Sequence, residues 1–443
     1  MADVIVRGGT LVTPDGQRRA DLAIEDGRIL EISLELGGGQ HEIDARGLFV
    51  LPGVIDVHVH FNEPGRTEWE GAATGSRALA AGGGTLFFDM PLNSTPCTVT
   101  AREFDRKRAA LEASSITDFA LWGGLVPGSI SEMAEMAARG VVGFKAFMSG
   151  SGLPEFPRAD DMTLLDGLRE AARLGLPVAV HAESEELTRG LAERTTARTA
   201  RAFLDSRPVV AEIEAIQRAL LLAGEAHAKL HIVHVSSGRG VAMAAEARAR
   251  GVDVSIETCP HYLFFTDDDV ERLGAVAKCA PPLRPSVDQQ ALWDEVLRGH
   301  VDIVASDHSP TTPAMKEGCD FVSAWGGIAG VQSTLAVLLD RGCHQRTLPL
   351  ERITALLAAE PARRFRIRDK GSLLVGRDAD VTLIDSNDLF TLGADDLHQR
   401  HKMSPYVGAS FRGRVRRTIR RGETICVDGQ ITAGSCGRLV RPS

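Results

Sequence analysis

Two textures of apolar and polar positions divide the chain. Residues 3 to 50 read as short strands: VIVRGGTLVT, a turn at Pro14, Asp15 and Gly16, then DLAIEDGRILEIS with its own turn at Asp26 and Gly27. The same texture returns only after residue 371, in GSLLVGRDADVTLID, VRRTIRRGETICVDG and QITAG. Neither set alone has much apolar surface to bury, so the two ends are expected to pair into one small β-sandwich, built from residues 1–51 and 371–443. Two separate β appendages are the alternative.

Between them, over residues 52–370, apolar strand-like runs alternate with helix-like ones. The strand-like runs are TLFFDM (85–90), VVGFKAF (141–147), PVAVHA (177–182), LHIVHV (230–235), VDVSIE (252–257) and VDIVASD (301–307). Val209 to Ala223 and Arg239 to Arg250 are the clearest helices, rich in Ala, Leu and Glu with apolar residues at helical spacing. This alternation predicts an α/β fold, a parallel sheet covered by helices. A distorted (β/α)8 barrel is the leading form and an open doubly wound sheet the rival. Polar residues separate the two. His58, His60, Asp89, Lys145, His181, His234 and Asp307 all fall at or near strand C-termini. A barrel gathers those ends into a ring around one pocket, whereas an open sheet spreads them along a line.

Composition narrows the classes of partner. Of 443 residues, 44% are hydrophobic and 25% charged, the balance of a soluble globular protein, and the formal charge is −9. Basic residues form no long block, so nucleic acid and anionic membrane are not expected as partners. No apolar run reaches the roughly 18 residues of a membrane span. The first ten residues carry no basic segment leading into an apolar one, and a cytoplasmic location is expected. Seven cysteines without paired spacing fit free thiols in a reducing compartment.

The chemistry centres on LPGVIDVHVH (51–60). Side chains alternate along a strand, so His58 and His60 point the same way. An isolated His-x-His is ordinarily a pair of solvated or core histidines; partners elsewhere change that. With His181, His234 and Asp307 the set suits zinc or a similar first-row metal, and the ligands can be shared between two ions. Lys145 is the odd member, because an ammonium would repel the cations. It must lose its proton or be modified. A carbamate formed from Lys145 and carbon dioxide would supply a bidentate bridging anion. The ordinary alternative is a lysine reaching the rim to pair with an acid.

The motifs PGVIDVHVH, GFKAF, VAVHAE, HIVHVSS, ETCPHY, KCAPPLR and SDHSP, in this order over nearly the whole chain, resemble the amidohydrolase superfamily in its cyclic-amidase branch of dihydroorotases, hydantoinases and allantoinases. The resemblance implies a binuclear centre. His58 and His60 would hold the more buried ion, His181 and His234 the more exposed one, and Lys145 would be the carbamylated bridge. Asp307 would ligate the buried ion and act as the catalytic proton shuttle. Two divalent ions are implied, zinc first, with cobalt, manganese, iron or nickel also accommodated. The resemblance also implies a homotetramer. Relatives that keep the fold as metal-free scaffolds lose ligands, and here all six positions are filled.

Within that branch, dihydroorotases carry an arginine two positions after the second histidine, which binds the substrate carboxylate; this chain has Asn62. Hydantoinases generally lack the EPG of residues 63–65 and usually have asparagine where this chain has Gly326. EPGRTEWEG, DMPLNSTP, SDHSPTTPAMKEG, AWGGIAG and HKMSPYVG are similar to the allantoinases, whose substrate is a neutral cyclic ureide. Asn62 and Asn93 suit such a substrate better than a fixed cation. By resemblance to hydantoinases, main-chain groups at Ala280 and Gly326 would hold the ring amide, with Arg66 and Ser309 at the rim. His261 and His308 read as supporting or packing residues, and the loop from Ser149 to Asp160 as a lid.

Overall fold

The barrel strands are short apolar runs buried on both faces, as a parallel sheet wrapped in helices requires. In the computed structural model, which describes residues 2–443, they are Val54–Val59, Gly84–Asp89, Asp118–Leu121 continued by Gly123–Gly124, Phe144–Phe147, Val178–His181, Leu230–Ile232, Val254–Thr258 and Ile303–Val304. Every neighbouring pair is parallel. The strands form a three-stranded and a six-stranded sheet. Both seams are stitched: His60 N–H donates to the His308 carbonyl at 2.8 Å, and Val142 N–H to the Leu121 carbonyl at 2.9 Å. The closed but interrupted ring is the distorted barrel, and the open-sheet alternative falls.

The helices expected at 209–223 and 239–250 are Val209–Glu225 and Gly238–Ala249, which pack on each other. In the first, Ala211, Ala215, Ala219 and Ala223 recur every fourth residue on the buried face, and their small side chains let the backbone lie close. Ser237 starts the second by accepting from Gly240 N–H at 3.2 Å. The strand at Asp118–Leu121 is one that periodicity did not flag: it is four residues long and leads through Trp122 into two glycines.

The two chain ends meet where Phe49–Pro52 pairs antiparallel with Val381–Thr391, Leu383 opposite Val50. This joins them into one continuous nine-stranded sheet, whose buried face includes Leu22, Ile24, Val50, Val381, Leu383 and Ile419. Lys370 ties this sheet to the barrel. Its ammonium lies 2.8 Å from Asp118 at the start of a barrel strand and 3.0 and 2.7 Å from Asp378 and Asp380. Phe49–Pro52 runs directly into the barrel strand that carries His58. At Gly53, between them, a Cβ would lie 2.3 Å from Thr85 Oγ1, so only glycine allows the approach.

Among the described residues no helix is long and apolar enough to cross a membrane.

Candidate active site

Parallel strands end at one rim, and the loops that follow them turn polar side chains inward. His58, His60, Lys145, His181, His234 and Asp307 come from five different strands or their ends and line one cavity of about 710 Å³. The rings of His58 and His60 lie 5.5 Å apart between centroids, as do those of His58 and His234; His181 and His234 are 4.7 Å apart. Four residues near the rim hold left-handed backbone: Asn62 (φ 62°), Asn93 (φ 71°), His234 (φ 41°) and Asp307 (φ 44°). Such conformations are uncommon outside glycine and cluster where a side chain must be aimed.

Two buried glutamates orient the histidines. Glu257 Oε1 contacts His58 Nδ1 at 2.8 Å, leaving His58 Nε2 facing Asp307 Oδ1 at 3.3 Å. Its other oxygen lies 3.0 Å from His231 Nε2, and Oε1 also accepts the backbone N–H of His234. Glu183 Oε2 lies 2.8 Å from His181 Nε2 and pairs with Arg207. Burial would raise both carboxyls, yet Glu257 is held down to about 2 by His58 and His231, and Glu183 to about 2 by Arg207 and His181. Neither glutamate stood out in the sequence. The signals were a charge inside the fully buried strand Val254–Thr258 and a carboxylate two residues after His181.

The donor set fits divalent metal. His181 Nδ1 and His234 Nε2 face each other at 3.1 Å, and His60 Nε2 lies 3.4 Å from Asp307 Oδ1. Ligand atoms at about 2.0–2.1 Å from a tetrahedral zinc lie about 3.3 Å apart, close to all of these separations. His58, His60 and Asp307 form one ligand group. Burial pushes the His58 and His181 imidazoles below their ordinary pKa, keeping them in the neutral form that binds metal. Burial also opposes ionisation of Asp307, but His58, His60 and His234 outweigh it and hold the carboxyl far below the usual range. The Lys145 amine is fully buried, has no hydrogen-bond partner, and is pushed down to about 8, first by desolvation. A buried amine left unsatisfied is a group waiting for a partner.

Of the residues expected to meet substrate, Asn93, Ala280, Ser309 and Gly326 line the cavity. Asn62 and Arg66 do not. Asn62 Nδ2 donates instead to the Pro310 carbonyl at 3.3 Å, which the short, left-handed asparagine reaches from the turn. Arg66 binds the Asn93 carbonyl at 3.1 Å and Glu155 at 2.6 Å. Asp89 turns aside from the ring to pair with Lys107 at 3.1 Å. His308 Nδ1 accepts from Gly330 N–H at 3.1 Å, tying the last barrel strand to the following loop. His261 is buried, and desolvation lowers it to about 4. Of the loop expected to cover the pocket, Ser149 to Gly152 line it; residues 195–198, which the sequence did not single out, do so as well.

Lys145 apart, the cavity's cations are engaged. Arg207 pairs with Glu183, Arg198 with Asp320 at 2.8 Å, Arg189 with Glu185 at 3.8 Å, and Lys278 with main-chain carbonyls.

Residues 49–425 match the model of the Amidohydrolase family. The chain is 65% identical to an allantoinase of Solibacter usitatus, covering 100% of this chain and 97% of the relative, and 59% identical to an allantoinase of Rubrobacter xylanophilus, covering 99% and 98%. Among solved structures it is similar to the L-hydantoinase (dihydropyrimidinase) of Arthrobacter aurescens, with a TM-score of 0.97 and 35% identity over 100% of both chains.

Proposed function

The chain belongs to the amidohydrolase family, and from that premise we propose that it hydrolyses the cyclic amide of allantoin to give allantoate. The enzyme acts on a small molecule and on a cyclic amide C–N bond. One observation carries the reading: four histidines, an aspartate and an unpartnered buried lysine converge on a single cavity. The substrate follows from the similarity to proteins named allantoinase and from the cavity's charge. With Arg207, Arg198 and Lys278 already engaged, the cavity offers a neutral ureide hydrogen bonds and offers a carboxylate no buried free guanidinium.

His58, His60 and Asp307 would hold one divalent ion and His181 and His234 the other, zinc being our assignment. When bound, the ions acidify a water and polarise the ring carbonyl. Glu257 and Glu183 keep His58 and His181 in the tautomers that present Nε2 and Nδ1 inward. Lys145, as the free amine, would attack carbon dioxide through Nζ and release a proton to solvent, and the resulting carbamate would bridge the ions. Asp307 would take the proton of the attacking water on its carboxylate oxygen and return it to the departing ring nitrogen as the C–N bond breaks. We place the protein in the cytoplasm, where its seven free cysteines stay reduced, and assign it a homotetramer.

The test is a substrate panel on protein reconstituted with zinc, cobalt or manganese. Allantoin is expected to exceed dihydroorotate and unsubstituted hydantoin in kcat/KM by at least about a hundredfold, roughly 2.7 kcal/mol. Preference for dihydroorotate would overturn the substrate assignment. Preference for other 5-substituted hydantoins would establish the hydantoinase reading that the structural neighbour suggests.

A further inference from the structure

Two buried lysines beside the cavity make no ion pair among the described residues. Each spends its ammonium on main-chain carbonyls. Lys278 Nζ donates to Phe321, Val322 and Ala324 at 2.9, 2.9 and 2.6 Å. Lys316 Nζ donates to Ala275, Trp325 and Gly327 at 2.8, 3.1 and 2.8 Å. An ammonium has three donors, so both are saturated. Burying a charge without a counter-ion is costly, and an apolar side chain would fill the same space more cheaply. The arrangement therefore calls for a reason beyond packing.

The reason lies in what the carbonyls belong to. Residues 321–327 form no helix or strand, yet they supply one wall of the cavity. The adjoining wall carries Ala280, two residues after Lys278. Lys278 thus sits on one wall and grips the other with its side chain, and its own carbonyl accepts Gly327 N–H at 2.7 Å. Lys316 clamps the same segment through the Trp325 and Gly327 carbonyls. Gly327 cannot yield, since its φ is 140° and a Cβ there would lie 2.2 Å from the Ser309 carbonyl oxygen. Among the described residues, the backbone N–H and C=O of Gly326 and of Ala280 take no intramolecular hydrogen bond. Each wall therefore offers the cavity a free peptide donor and acceptor.

We propose that Lys278 and Lys316 are positioning residues that set the spacing of these two peptide walls, and so determine how tightly a cyclic ureide's amide edge is held and which ring substituents are admitted. This rests on the reading of the cavity as a cyclic-ureide site. Neither lysine touches the metal-ligand set; they act through the backbone they hold.

Lys278→Met and Lys316→Met keep the length and apolar stem of the side chain and remove the donors. In metal-reconstituted protein each is expected to raise KM for allantoin about tenfold while kcat stays within about threefold, with bound metal unchanged. Discrimination between allantoin and 5-methylhydantoin should shrink, and Lys278→Arg should restore part of it. In substrate-free protein, amide hydrogen exchange over residues 321–327 should accelerate in both variants. Unchanged KM and unchanged exchange in metal-loaded variants would overturn the proposal, as would failure of both variants to fold, which would make the lysines simply structural. Absence of allantoin turnover by the unmodified enzyme would instead overturn the substrate assignment. The exchange measurement, together with the panel's best substrate, then still decides the role of the lysines.

Discussion

At the scale of the residue, the site depends on side chains placed where water would normally be needed. Lys145 is the extreme case: fully buried, unpartnered, and with its amine pushed down to about 8. At pH 7 such an amine is neutral in about one molecule in ten, against about one in three thousand for an ordinary lysine. Only the neutral amine reacts with carbon dioxide. At a constant concentration of dissolved carbon dioxide, metal-dependent reactivation of metal-free protein should therefore speed up as pH rises from about 6.5 to about 8.5, and level off above the amine's pKa. Lys145→Ala is expected to lose activity by at least about a thousandfold, roughly 4 kcal/mol of barrier, with bound metal falling below two ions per chain by elemental analysis. Full activity with two ions bound would refute the carbamate. Glu257 acts one step removed. Its carboxylate serves His58, His231 and the backbone of His234 together, so Glu257→Gln should cost about 10- to 100-fold in metal affinity, measured by competition with a chelator.

Among the elements, the short strands place ligands at their C-terminal ends and anchor at their N-terminal ends. Asp118 opens its strand and meets Lys370, which also binds Asp378 and Asp380 from the terminal sheet. Desolvation works against the ammonium, but Asp380, Asp118 and Asp378 outweigh it and hold the Lys370 pKa above its ordinary value. A raised pKa means the contribution is complete below the unfolded value of about 10.4 and fades only as pH climbs beyond it. Lys370→Met leaves the buried Asp380 without its cation, while Asp118 keeps Arg421, and should destabilise the fold by about 3–5 kcal/mol. Denaturant unfolding should give a smaller loss at pH 6 than at pH 9, because Asp380, whose carboxyl burial already pushes up, can take a proton once its cation is gone. The anchor was invisible along the chain because its members lie at 118, 370, 378 and 380, and lysine near acids in a polar stretch normally means a solvated surface.

For the molecule as a whole, the relation between the chain ends and the barrel matters most. One nine-stranded sheet holds both termini and delivers the strand that carries His58 and His60. The cavity behind that strand is lined by arginines already paired to acids, so its electrostatics favour an uncharged substrate. Raising the salt concentration should accordingly change KM for allantoin by less than about twofold, since no net charge is recognised; a steep salt dependence would point to an anionic substrate. Sedimentation is expected to give a tetramer, and a monomer would remove that assignment.

What the amino-acid order determined by itself was local in origin. Alternation put His58 and His60 on one side of a strand, apolar runs punctuated by helices specified a parallel α/β barrel, and polar residues at strand ends marked the rim. Each follows from side-chain periodicity, which needs no knowledge of distant partners. Tertiary structure alone decided the rest. It turned Asn62 onto the Pro310 carbonyl and away from the cavity, paired Asp89 with Lys107, and brought Glu183 and Glu257 behind the histidines. It also buried Lys278 and Lys316 against carbonyls that no spacing in the chain foretells. Hydrogen-bond partners and burial are properties of the closed barrel, where residues hundreds of positions apart become neighbours.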